Sequence, residues 1–147
     1  MSKEQFDKFA DDLQKEIIKE ELKIYNEQIL ALFHNPENWG KLLHEETSIM
    51  HSYKGSCGDT MEFYLKIGNN IIEKIKFITD GCGASVATGS QTTILLKGKS
   101  LEFAENLKAI DIDSALHGLP EDHKHCAELA ARTIKQAIEK YKALKKE

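Results

Sequence analysis

The stretch from Met61 to Thr79 restricts the fold more than any other part of the sequence. Met61, Phe63, Leu65 and Ile67 alternate with Glu62, Tyr64 and Lys66. A period of two places one set on an apolar face and the other in water, which a strand does and a helix does not. Gly68-Asn69-Asn70 reads as a turn, and Ile71 to Thr79 supplies the next β-rich run, so the segment closes as an antiparallel hairpin. Ile49 to Tyr53 is a candidate third strand. A sheet this small needs helices over its apolar face to be stable.

The rest of the chain offers those helices. Over the first 34 residues Phe6, Phe9, Leu13, Ile17, Ile24 and Leu30 to Phe33 recur at helical spacing, and Ser2 with Gln5 fits a capping box. Lys19-Glu20-Glu21 marks a candidate break, but neither Gly nor Pro enforces one, so one helix and two both stand. His34 to Gly40, with Pro36 pushing Asn35 out of the helical region, is a stop. Helical patterns return over Ser85–Leu96, Ser100–Leu107 and Ile110–Leu116. A last helix from about Glu121 to Lys145 carries Cys126, Leu129, Ala130, Thr133, Ile134, Ala137, Ile138, Tyr141 and Leu144 on one stripe. There is no internal repeat. The expectation is one α+β domain over residues 1–147: a small three-stranded antiparallel sheet packed against several helices, with a long C-terminal helix.

Composition narrows the function. A net charge of −4 argues against a nucleic-acid partner, and no apolar run approaches the roughly 20 residues that span a bilayer. Ser2 to Lys8 is charged and lacks the apolar stretch of a secretory signal, so a cytoplasmic protein with free thiols is expected. The three cysteines are an odd number, which excludes a closed disulfide framework. Cys57 sits in Gly55-Ser56-Cys57-Gly58-Asp59, Cys82 in Asp80-Gly81-Cys82-Gly83-Ala84-Ser85, and Cys126 directly follows His125. All three fall at the ends of expected elements. Cys82 and Cys126 lie near helix N-termini, where the helix dipole favours the thiolate. Asp59 offers an oxygen ligand and His125 an imidazole, so a soft or borderline metal could be held by three thiolates and one N or O donor. The spacings of 25 and then 44 positions match no local metal motif, so structural thiols and a joint site both stand on spacing alone. Of the other histidines, His123 reads as a solvated loop residue or an outer neighbour of the site. No Ser-His-Asp nucleophile, phosphate-cradling loop or paired-carboxylate site is evident.

Cys57-Gly58-Asp59, Gly81-Cys82-Gly83-Ala84-Ser85 and His125-Cys126-Ala127-Glu128-Leu129-Ala130 resemble the three cysteine motifs of the NifU/IscU-type iron–sulfur cluster assembly scaffolds. Tyr25 to Ile29 leading to Asn35-Pro36-Glu37-Asn38-Trp39-Gly40 resembles the family's opening segment, and Lys97 to Leu101 its mid-chain turn. The resemblance spans about residues 25 to 142. It implies cysteines gathered at one exposed end of an α+β fold, and a scaffold rather than an enzyme. A cysteine desulfurase would supply persulfide sulfur, a [2Fe-2S] cluster would form from iron and sulfide, and apo iron–sulfur acceptor proteins would receive it. Cys57, Cys82 and Cys126 would be ligands, Cys126 the sulfur acceptor, and His125 or Asp59 the fourth ligand. Asp59, the poorer ligand, would keep the cluster labile. Zinc could occupy the same donors.

Three departures from the family pattern stand out. Members usually carry Leu-Pro-Pro-Val-Lys, read by a dedicated Hsp70-type chaperone, where this chain has Leu119-Pro120 followed by Glu121-Asp122-His123-Lys124. Chaperone-assisted transfer is therefore not expected. Residues 1–22 form a longer helical extension, available to pack on the body or on a second subunit as a homodimer. Leu32 stands where the family usually has a histidine. The alternative to the scaffold is a zinc-binding persulfide relay, but the step from Cys82 to Cys126 leaves no room for that branch's long insertion.

Overall fold

The computed structural model describes residues 2–146. The hairpin forms as expected: β2 (Thr60–Gly68) and β3 (Ile71–Thr79) pair antiparallel, and β1 (Ile49–Lys54) pairs with β2 on its other side. Asn69 and Asn70 both take positive φ, the backbone of a two-residue turn whose twist suits a hairpin. The register slips between Lys66 and Ile67, where a bulge on β3 accommodates one extra residue. Met61, Phe63 and Leu65 of β2 lie beside Ile75 and Phe77 of β3 on the covered face of the sheet. The outer edge of β3 is closed at both ends, by Asn38 and Gly40 at Phe77 and by Gly98 and Lys99 at Ile72. That leaves little exposed ladder on which another chain could add a strand.

The N-terminal helical region is two helices. α1 (Lys3–Glu21) starts with the anticipated capping box, in which the Gln5 N–H donates to the Ser2 hydroxyl and the Ser2 N–H to the Gln5 side chain. α2 (Glu27–His34) follows after a break that opens at the charge run, where α1 ends at Glu21, and closes at Asn26, the cap of α2. The Asn26 side chain accepts the Ile29 N–H at 2.9 Å and donates to the Leu116 carbonyl at 2.9 Å, so one residue caps the helix and ties it to the body. α2 buries Ile29, Leu30 and Leu32. α1 buries nothing: Phe6, Phe9, Leu13 and Ile17, the residues whose spacing announced the helix, remain exposed. Its second half runs beside α2, with Gln14 and Ile18 lining a groove against Leu30 and Ala31, and Glu21 meets His34 at 2.7 Å.

α3 (Gly83–Leu96) is the central helix. It runs over β3 and is covered by α2 on one side and by α5 (Ala109–Ala115) and α6 (His125–Lys145) on the other. Its sequence has almost no amphipathic bias, because nearly every side is buried and the residues are small. The hydroxyls of Thr88, Thr92 and Thr93 donate to the Ala84, Thr88 and Ser90 carbonyls at 2.6–2.7 Å, which removes the cost of burying them. A Cβ on Gly89 would lie 2.3 Å from the Phe77 ring, so the helix can sit at this distance only where no side chain intervenes. α4 (Leu101–Glu105), capped by Ser100, links α3 to α5. α6 crosses β1 and β2 with Cys126, Leu129, Ala130, Thr133, Ile134, Ala137 and Ile138 buried, whereas Leu144 is exposed. It begins four residues later than the periodicity suggests. Pro120 opens a separate 3-10 turn over Glu121–His123, and the long helix starts at His125.

Two outcomes follow from this packing. Gly89→Ala forces the Phe77 ring or α3 to move and should cost about 1–3 kcal/mol in denaturant unfolding; a loss under about 0.5 kcal/mol would show that the contact yields freely. Removing residues 2–20, which bury nothing, should leave the midpoint of thermal unfolding of the remaining chain within about 3 °C. A larger drop would mean that α1 packs on the body in solution.

Candidate metal centre

The β1–β2 connection, the β3–α3 connection and the start of α6 lie at the same end of the sheet, because Lys54 pairs with Thr60 and Met61 with Thr79. Each carries one cysteine. Cys57 is exposed in a turn closed by the Gly55 N–H donating to the Asp59 carbonyl at 2.9 Å. Cys82 is the N-cap residue of α3, extended in backbone and exposed, with its sulfur not spent on capping the helix. Cys126 is the second residue of α6 and is fully buried, part of the hydrophobic core. All three are free thiols.

Three of the five predicted donors form one tight group. Donor atoms of Cys57, Asp59 and His125 all lie within 4.8 Å of one another. Cys126 Sγ is 3.8 Å from His125 Nε2, directly beside that group. Cys82 Sγ stands at the far side, 3.9 Å from His123 Nδ1. Sulfur, carboxylate and imidazole together suit zinc or iron better than calcium or magnesium, which prefer oxygen alone.

Two further residues belong to this arrangement that the sequence reading did not single out. Ser85 is buried in the first turn of α3, and its Oγ lies 3.4 Å from Asp59 Oδ2 and 3.5 Å from Cys126 Sγ. It donates to the carboxylate and so links two of the three connections through one hydroxyl. A Cβ on Gly81 would fall 2.4 Å from the Ser85 hydroxyl and 3.0 Å from Asp59 Oδ2, so this close approach needs glycine there. Ser85 three residues after Cys82 was the available signal. Tyr25 is the other. Its ring tilts against His123 at 5.8 Å, and its hydroxyl is pushed toward the neutral phenol by burial first, then by the charges of Cys82 and Cys126. Leu32 is buried in the core and takes no part.

One expectation is reversed. The helix N-terminus was expected to favour the thiolate of Cys126, but burial drives this thiol up to about 11. The Ser85 hydroxyl opposes that rise, while the negative charges of Cys82, Asp59 and Cys57 add to it. Near neutral pH Cys126 is a buried SH group. No helix among the described residues is long and apolar enough to cross a membrane.

Comparison with known proteins gives a consistent set of likenesses. The family model described as NifU-like N terminal domain matches residues 24–147. The iron-sulfur cluster assembly scaffold protein IscU 1 of Archaeoglobus fulgidus is 38% identical over 118 residues, 80% of this chain and 76% of that protein. The protein named iron-sulfur cluster assembly scaffold protein IscU in Haemophilus influenzae is 40% identical over 122 residues, 81% of this chain and 96% of its own length. Among solved structures, the N-terminal part of a nitrogen-fixing NifU-like protein from Brucella abortus superposes with a TM-score of 0.63 at 19% identity, covering 83% of this chain and 96% of that one. The last likeness concerns the fold alone.

The thiol environments order their reactivity. In the apo protein, Cys57 and Cys82 should react with a thiol reagent at pH 7.5 well before Cys126, as read by timed quenching and peptide mass mapping. The raised Cys126 value also has a sign for stability. The folded state holds the proton more tightly than the unfolded chain, so the contribution is complete below the ordinary thiol range and lost as pH rises through about 11. Stability of the apo protein should fall over that alkaline window, and Cys126→Ala should flatten the fall. Equal labelling rates for all three thiols would contradict the burial.

Proposed function

The chain belongs to the family of NifU-like N-terminal domains, and from that premise we propose that it is a scaffold on which an iron–sulfur cluster is assembled and from which apo acceptor proteins receive it. The observation that carries the reading is the grouping of Cys57, Asp59 and His125 within 4.8 Å, with Cys126 Sγ 3.8 Å from His125 and Cys82 exposed at the start of α3 at the same end of the sheet. The cargo in this reading is a [2Fe-2S] cluster, whose two tetrahedral irons need four protein ligands. Cys57, Cys82 and Cys126 supply three, and Asp59 or His125 the fourth. The whole chain acts as one scaffold domain, with residues 1–22 as a helical extension that is free to meet a second copy.

The geometry suggests an order of events. Iron meets Cys57, Asp59 and His125 first, since these donors are already close together and reachable. A cation there lies beside Cys126 and favours its thiolate, reversing the effect of burial. Thiolate Cys126 then attacks the outer sulfur of a desulfurase persulfide. The S–S bond of the donor breaks, the desulfurase leaves as a thiolate, and Cys126 becomes the persulfide. Releasing sulfide from it consumes two electrons from an external reductant. Zinc binds the same donors when iron is absent. Asp59 shares its carboxylate with the Ser85 hydroxyl and binds iron less strongly than a thiolate would, which keeps the cluster transferable. The chemistry belongs to the bound iron and sulfide and to partner proteins, so the chain itself needs no catalytic group. A reducing compartment such as the cytoplasm keeps the thiols free.

Anaerobic reconstitution with iron, sulfide and reductant should give a brown protein with [2Fe-2S] absorption. Cys57→Ala, Cys82→Ala and Cys126→Ala should each remove most of it, and normal reconstitution of all three would refute the ligand assignment. Asp59→Ala should prolong the cluster's lifetime in the presence of a chelator; a shorter lifetime counts against its role in release. Metal analysis of protein purified without oxygen separates an iron scaffold from a zinc-bound sulfur relay.

A further inference from the structure

We propose that His123 is a metal ligand, paired with Cys82, and that the centre therefore offers six protein donors instead of five. The inference rests on the scaffold reading and concerns the segment in which this chain departs from the family pattern. There, Glu121-Asp122-His123-Lys124 follows Leu119-Pro120, and the substituted residues place an imidazole against the most exposed side of the centre.

The geometry is that of a chelating pair. His123 Nδ1 lies 3.9 Å from Cys82 Sγ. For tetrahedral zinc, bonds of about 2.3 Å to sulfur and 2.0–2.1 Å to nitrogen put the two donors about 3.6 Å apart. The observed gap thus differs from a coordination edge by a few tenths of an ångström, which a small side-chain rotation closes. Cys126 Sγ and His125 Nε2 form a second pair of the same kind at 3.8 Å. The two imidazole rings are 6.3 Å apart, centroid to centroid. The centre therefore contains two adjacent sulfur–nitrogen pairs, with Cys57 and Asp59 beside the His125 pair. Two metal positions, each served by its own pair, match the two irons of the proposed cargo.

The ring of His123 is also held for this purpose. Its backbone N–H donates to the Pro120 carbonyl at 2.9 Å, closing the 3-10 turn. Asp113 accepts the Leu119 N–H at 2.8 Å and the Lys124 ammonium at 3.2 Å, fixing both ends of the segment. Tyr25 packs on one side of the ring. Asp122 Oδ1 lies 3.9 Å from Nε2, too far for a hydrogen bond but on the side that favours a proton there. A proton on Nε2 leaves the Nδ1 lone pair facing Cys82, the tautomer a metal requires.

The test uses the full-length apo protein, zinc and no sulfide. In the wild type labelled with nitrogen-15 histidine, saturation with zinc should move the Nδ1 resonance of His123 into the range of coordinated imidazole. By chelator competition, His123→Ala should bind zinc about tenfold or more weakly, and His123→Cys, which restores a donor, should recover most of the loss. His123→Lys should not. Circular dichroism of each apo variant checks the fold, and the wild-type resonance reads the contact without any substitution. An unmoved His123 resonance at zinc saturation while His125 shifts, or a folded His123→Ala with unchanged zinc affinity, overturns the proposal. Failure of the scaffold reading is separate: the wild type then forms no cluster on reconstitution, whatever zinc does at His123.

Discussion

The centre hangs from the contact between α3 and the Phe77 ring. Gly89 lets the helix axis lie close to β3, and that distance sets where the first turn of α3 emerges from the core. Cys82 as N-cap and Ser85 one turn later are fixed by it, and Ser85 in turn reaches both Asp59 and Cys126. The helix buries Ser, Thr and Gln side chains along with its apolar ones, a combination that works because its threonine hydroxyls are satisfied by its own carbonyls. A more apolar helix would bury as well. It would bring bulkier side chains, and the close approach that holds three chain connections around one hydroxyl would be lost.

The fold was largely legible because the residues that decide it act locally. Alternation through Met61, Phe63, Leu65 and Ile67, the Asn69-Asn70 turn, the Ser2–Gln5 capping box and the stripe of α6 each announce their element within a few residues. What was not legible depended on distance or competition. The charge run marked where α1 ends, but the start of α2 rests on Asn26, whose cap is local and whose tie to Leu116 spans the chain. The apolar stripe of α1 looks like a core face and is exposed, since periodicity reports a face without reporting what covers it. At the centre, the donor types were readable from the cysteine motifs. Their gathering at one end followed only from the family resemblance, because no local spacing shows that three connections arrive at one end of the sheet. Ser85 and Tyr25 were missed for the same reason: each gains its meaning from a neighbour far away in sequence.

The state of Cys126 shows how two correct local arguments can conflict. A helix N-terminus stabilises a nearby negative charge by roughly 0.3–1 kcal/mol, up to about 2 in sheltered positions. Moving the thiol to about 11 corresponds to roughly 3 kcal/mol against the thiolate. Burial wins, and it does so by placing the sulfur in the same cluster that holds Leu129 and Ala130. The consequence is a useful asymmetry. Two exposed cysteines are open to metal or partner, while the third is silent until a cation settles next to it.

That asymmetry bears on how a carrier can bind tightly enough to assemble a cluster and loosely enough to surrender it. A shell of four thiolates would satisfy the first need and defeat the second. In the proposed scaffold a buried thiol would contribute only once metal is present, and a carboxylate would stand ready with its oxygen already shared with Ser85. An imidazole stands beside each of two sulfurs, and as proposed ligands these would add donors beyond the four a [2Fe-2S] cargo would use. Surplus donors of unequal strength let one ligand replace another without leaving iron bare. Each such exchange crosses a lower barrier than the outright loss of a thiolate, and an acceptor's cysteine can enter by the same substitution. Release is then built into the donor set itself, with no need for the fold to open.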